Sequence, residues 1–196
     1  MTERPMRADA RRNRQRLLAA ARTAFTEHGA EASLDDIARR AGVGSGTLYR
    51  HFPTRQALVE AVYRDQVEAL CTRGYELLDT LPPDDALAAW LRAMADYVTT
   101  KRGLATAMKA IMDDQGSQVF ASCKQALYAA ARALLTRAQE TGTVRADADV
   151  DDLLRLVHAI AVATEQAPDG GERLLSLVMD GLRHQEAAAT APAPAR

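Results

Sequence analysis

Apolar residues recur along this chain at three- and four-residue intervals and rarely alternate, which is the signature of amphipathic helices. Leu17, Ala21, Ala24 and Phe25 stand at i, i+4, i+7 and i+8 and predict a helix from about Arg7 to His28, ended by Gly29. Ser33 before Leu34-Asp35-Asp36 reads as a capped start for a short second helix through Ile37, Ala38 and Ala41, closed by Gly42. Val43-Gly44 make a tight connection. Ser45 is placed to cap a third helix over 45–51, with Leu48 and Phe52 facing inward. Pro53 stops it, and Thr54 can cap a fourth helix from about Arg55 to Leu78, long enough at ~35 Å to connect two halves of a molecule.

Pro82-Pro83 is the clearest break. Beyond it the pattern predicts helices near 84–101, 104–113, 117–141 and 149–167, a turn at Pro168-Asp169-Gly170-Gly171, and a last helix near 172–187. The tail 188–196, with Pro192 and Pro194, reads as disordered. The expected fold class is all-α, with about nine helices. Composition agrees, since alanine, the best helix former, fills 40 of the 196 positions.

Charge separates the two ends. Residues 1–55 carry 11 Arg against 6 Asp and Glu, a net of +5, while residues 56–196 carry a net of −6. Such asymmetry suits a polyanion at the basic end and equally a solvated N-terminal tail. Arginine outnumbers lysine 22 to 3, which suits phosphate recognition and equally suits a GC-rich genome. The five-residue apolar run after Arg16 is too short for a secretory core, so a cytoplasmic protein is expected. No stretch is long and apolar enough to span a membrane. Cys71 and Cys123 form neither a disulfide framework nor a metal spacing. Gly42-Val43-Gly44-Ser45-Gly46 looks glycine-rich, but Thr47 stands where a dinucleotide fingerprint needs glycine and no strand precedes it. No nucleophile motif or paired carboxylates are apparent. No cofactor, no metal and no enzymatic activity are expected.

Two short helices joined through Gly42 match a helix-turn-helix, whose second helix enters the major groove with its N-terminal residues on base edges. With Leu48 and Phe52 as anchors, Ser45, Gly46, Thr47, Tyr49, Arg50 and His51 are left for the outside. Small residues permit close approach, hydroxyls donate to phosphates or bases, and an exposed tyrosine beside Arg50 and His51 suits a duplex.

The segments "LLAAARTAFTEHGAEASL", "LDDIARRAGV" and "GTLYRHFPTRQALVEAV" resemble the TetR family of bacterial transcriptional regulators, from about Arg12 to Tyr63. The resemblance implies a helix-turn-helix DNA-binding domain at 1–54 and a helical effector-binding and dimerisation domain at 55–187. It implies DNA contacts by Tyr49 and Thr47, phosphate contacts by His51 and Arg55, and a backbone-facing hydroxyl at Ser33. Gly44-Ser45 departs from the usual basic residue beside the turn. Asp35 stands near a position where some members place a base-reading cation, so Arg50, Thr47 and the N-terminal arginines gain weight.

In the C-terminal part, Trp90, Met94, Tyr97, Met108, Met112, Phe120, Cys123 and Leu127 could line an effector pocket or simply form a core. The last two helices are apolar on more than one face, so Leu156, Ile160, Thr164, Leu174 and Val178 are expected at a dimer interface. Thr141–Asp147 resembles a stretch common in the family's C-terminal domains. His158, within an apolar run, reads as a core or interface residue. The implied function is a homodimeric repressor of a palindromic duplex operator, released by a small apolar or amphipathic effector. An activator, or a regulator without a small ligand, is the alternative.

Overall fold

The computed structural model describes residues 3–109, 114–164 and 167–183. Met112 and the tail 188–196 lie outside them. The described residues form α1 (Glu3–His28), a 3-10 turn (Gly29–Glu31), α2 (Leu34–Arg40), α3 (Ser45–His51), α4 (Arg55–Thr80), α5 (Pro83–Lys109), α6 (Asp114–Glu140), α7 (Val150–Ala163) and α8 (Pro168–Leu182). The fold is all-α, as the periodicity predicts.

Local chemistry sets most boundaries. The Ser33 hydroxyl accepts from the Asp36 amide at 3.4 Å, the Thr54 hydroxyl accepts from Ala57 at 3.0 Å, and the Asp149 carboxylate accepts from Asp151 at 2.7 Å. Each satisfies an amide that a helix start would otherwise leave unpaired. Gly29 and Gly42 end α1 and α2 at φ of +53° and +66°, a region other residues rarely enter.

Three expectations are corrected. The predicted helices at 84–101 and 104–113 are one helix, α5, which passes through Gly103 without a break. The Pro168–Gly171 turn is the first turn of α8, where proline suits a helix start because its missing N–H has no helical partner there. Ser45 does not cap α3. Gly44 is the N-cap, and Ser45 is the first helical residue.

By contacts the chain forms two compact units, Met1–Thr72 with Asp96–Leu127, and Arg73–Ala95 with Tyr128–Arg196. In the first, α1 packs on α2 and α2 on α3. Leu17, Phe25, Ile37, Leu48, Leu58 and Val59 are sealed from solvent there. Each such side chain stabilises the fold by about 1.5–3 kcal/mol. The later half of α5 belongs to this unit through a close approach to α1. A Cβ at Gly103 would lie 2.1 Å from the Phe25 carbonyl oxygen and 2.8 Å from the Thr26 Cα.

In the second unit Trp90 is fully buried. Gly74 of α4 makes room for it, since a Cβ there would stand 3.0 Å from the indole nitrogen. Helices α7 and α8 pack together, and Arg92 of α5 pairs with Glu172 of α8 at 2.7 Å. The link before α7 is pinned by the Gln139 amide nitrogen, which donates to the carbonyls of Arg145, Ala146 and Ala148 at 3.1, 3.3 and 3.0 Å.

Candidate nucleic-acid interface

The turn between α2 and α3 is built from backbone bonds. Gly42 donates to the Arg39 carbonyl at 3.1 Å and Val43 to that of Ala38 at 3.0 Å, and the Gly44 carbonyl then accepts from Thr47 at 2.9 Å and Leu48 at 3.2 Å. The Ser45 hydroxyl donates to Asp35 at 2.8 Å and ties the first turn of α3 to that of α2. Leu48 and Phe52 are buried and fix the roll of α3. That roll puts Tyr49, 48% exposed, on the outer side with Arg50 and Ser45, while Thr47 and His51 are half-buried. A Cβ added at Gly44 or Gly46 would meet nothing within 4 Å, so the start of α3 faces open space.

The surrounding charges are largely occupied. Asp36 pairs with Arg39 at 2.6 Å, Asp35 accepts from Ser45, and Glu27 pairs with Arg40 at 2.7 Å. Among the described residues Arg50 and His51 have no carboxylate partner. The outer side of α3 therefore offers the Tyr49 phenol and the Arg50 guanidinium, with the Asp35 carboxylate held by Ser45.

Ser33 is exposed, but its oxygen is the cap of α2. Arg55 faces inward. Its guanidinium donates to the Ala32 carbonyl at 2.6 Å and to the Ala30 carbonyl, and it lies 5.5 Å from the centre of the Phe25 ring. It clasps the start of α4 onto the link between α1 and α2, a role the sequence did not reveal. Arg55→Ala is expected to lower stability by about 1–3 kcal/mol, because two carbonyls lose a charged donor. Arg55→Lys should restore little, since one ammonium cannot span both. Urea unfolding checks this. Unchanged stability with DNA affinity alone reduced would contradict the clasp.

The predicted effector residues divide between the units. Tyr97, Met108, Cys123 and Leu127 are buried in the first unit, where Phe120 meets Tyr63 edge-on at 4.9 Å between ring centres. Trp90 and Met94 belong to the second, where Trp90 is core. Tyr63 and Lys101 join the first group although the sequence reading passed over both. A signal for Lys101 was present, as one of 3 lysines among 22 arginines.

Of the predicted interface residues, Leu156 is 48% exposed, while Leu174, Val178 and Thr164 are half-buried and Ile160 is buried. Leu156 and Val178 share the lining of a cavity of about 330 Å³ with Leu177, which is 60% exposed. His158 is exposed on α7 rather than buried. Among the described residues no cluster of three or more His, Cys, Asp or Glu could hold a metal ion, and no helix is long and apolar enough to cross a membrane.

A basic three-helix head whose short third helix turns Tyr49 and Arg50 outward, followed by further helices, defines a helix-turn-helix DNA-binding regulator. Residues 17–62 match the model of bacterial regulatory proteins of the tetR family, and residues 82–184 match that of the transcriptional regulator SbtR-like C-terminal domain. The chain is similar to the TetR transcriptional regulator SCO0520 of Streptomyces coelicolor, at 44% identity over 87% of this chain and 98% of that one, with a TM-score of 0.77. It is also similar to a TetR regulatory protein of Mycobacterium vanbaalenii, at 39% identity over 92% and 100% of the two chains, with a TM-score of 0.78. The transcriptional repressor KstR2 of Mycolicibacterium smegmatis is 43% identical over 68 residues, a match spanning 34% of this chain and 33% of that protein. The chain belongs to the TetR family. It is a DNA-binding transcriptional regulator and not an enzyme.

Proposed function

We propose that the chain is a homodimeric repressor that reads a palindromic duplex operator with α3 and leaves it when a small amphipathic effector binds. The observation that carries the reading is the split of α3, with Leu48 and Phe52 buried and Tyr49 and Arg50 outward. Tyr49 and Thr47 supply base-edge and thymine-methyl contacts, Arg50 reads a base or phosphate, and His51, Ser45 and Ser33 face the backbone. Gly46 keeps the approach open. The exposed Leu156 and Leu177 support a second copy packed on α7 and α8, as two-fold operators require. The effector would lodge among Tyr97, Met108, Phe120, Cys123 and Leu127. It releases DNA only if it binds the two states unequally, and moving a 1:99 population to 99:1 takes a difference of about 10⁴-fold.

The test is retardation of the DNA upstream of the protein's own gene. Tyr49→Ala is expected to cost about 1–3 kcal/mol on the specific site and much less on random duplex. The logarithm of the affinity should fall against that of salt by about 0.9 for each phosphate neutralised. Equal losses on both duplexes, or a flat salt response, would contradict the reading.

A further inference from the structure

The first unit holds a half-buried lysine with no carboxylate partner among the described residues. The Lys101 ammonium lies 4.8 Å from the centre of the Tyr63 ring and 5.5 Å from that of Tyr97. Among the described residues no carboxylate pairs with it. Ring faces stabilise an ammonium only in part, and burial pulls the pKa of this one below its ordinary value. One turn earlier on α5, Tyr97 is 8% exposed, and among the described residues its hydroxyl meets no partner in full hydrogen-bonding geometry. The Tyr63 phenol acts on it by charge and at the margin of hydrogen bonding, short of full hydrogen-bonding geometry. Burial comes first in holding the Tyr97 phenol protonated, far above its usual range, so it is a donor at all ordinary pH. On α4, one turn beyond Tyr63, the Gln66 side-chain carbonyl is also buried and unpartnered.

Native interiors leave few such groups, because each costs free energy that a partner would recover. A donor hydroxyl and an ammonium, four residues apart on one helix beside Tyr63, which Phe120 meets edge-on, want the same partner. That partner is an anion with two acceptor oxygens.

We propose that this cluster takes the carboxylate of an amphipathic monoacid, with Lys101 as counter-ion, the Tyr97 hydroxyl as donor, and the rings of Tyr63 and Phe120 against its apolar body. The inference rests on the effector reading above and names the chemistry of that effector. Its position suggests how binding is felt. Lys101 stands two residues before Gly103, where α5 touches the Phe25 carbonyl of α1. A ligand that draws on Lys101 acts on the turn of α5 that bears on the DNA-binding helices.

The experiment measures binding to the full chain by calorimetry, using decanoate, hydrocinnamate and cholate, each against its primary amide. At least one acid is expected to bind about tenfold tighter than its amide. Lys101→Met should erase that preference, and Lys101→Arg should keep part of it. Tyr97→Phe should weaken the acid several-fold while leaving the melting temperature unchanged or higher, because it removes an unpaired buried hydroxyl. The proposal is overturned if no acid exceeds its amide, if the preference survives Lys101→Met, or if Tyr97→Phe lowers the melting temperature and leaves acid binding intact. Release of operator DNA is scored separately. An acid that binds without releasing DNA keeps this site and defeats the effector-release reading. Release by neutral amides as strong as release by acids does the reverse.

Discussion

Gly103→Ala is expected to destabilise the protein by about 3 kcal/mol, against the usual effect of that substitution. Inside an exposed helix, replacing glycine by alanine gains up to about 1 kcal/mol from backbone entropy. Here the new methyl would stand 2.1 Å from the Phe25 carbonyl oxygen, and its neighbours are main-chain atoms that cannot swing aside as a side-chain tip would. Either α5 moves off α1 or the last turn of α1 deforms. Gly46→Ala is the internal control. It lies in α3 with open space around it, so the fold should be unchanged or slightly more stable. For a chain of this size the Gly103 variant should melt about 6–12 °C lower. A melting temperature equal to that of the parent would mean that α5 and α1 do not meet as described.

Leu177→Asp is expected to convert a dimer into a monomer and to weaken operator binding by about 10²-fold or more, since two reading heads held together bind far more tightly than one. Leu177 is 60% exposed and shares the cavity lining with Leu156 and Val178, so a carboxylate there would be desolvated against apolar side chains when a partner packs. Leu156→Asp should behave in the same way. Leu81→Asp, at a comparably exposed leucine between α4 and α5, should not. Light scattering behind gel filtration gives the mass, and retardation gives the affinity. A parent protein that is already monomeric, or a Leu177 variant that remains dimeric, would remove α7 and α8 from the interface.

The helices were legible because their apolar spacing repeats over many turns, and the reading head because its caps and glycines act locally. Ser33, Thr54 and Gly42 behave as short-range chemistry requires. What escaped the sequence depends on partners distant along the chain. Gly103 reads as a helix breaker until Phe25, far earlier in the chain, is seen to occupy the space of its missing Cβ. Arg55 at the start of α4 suits a phosphate or a carbonyl equally, and the carbonyls of Ala30 and Ala32 within its reach decide it. Lys101 carries no local pattern of its own, and its setting is fixed by the rings of Tyr63 and Tyr97 beside its ammonium. Pro168-Asp169-Gly170-Gly171 has turn composition, but proline and acid are equally at home in a first helical turn.

The most direct test of the account titrates the purified full chain into its own upstream duplex, beside a shuffled duplex of equal length, with the parent and the Tyr49→Ala variant. A discrete complex is expected on the upstream duplex alone at about 0.1 M salt, weakened selectively by Tyr49→Ala. Equal binding to both duplexes, or a Tyr49→Ala variant that binds the upstream duplex as the parent does, would contradict the assignment of α3 as the reading helix.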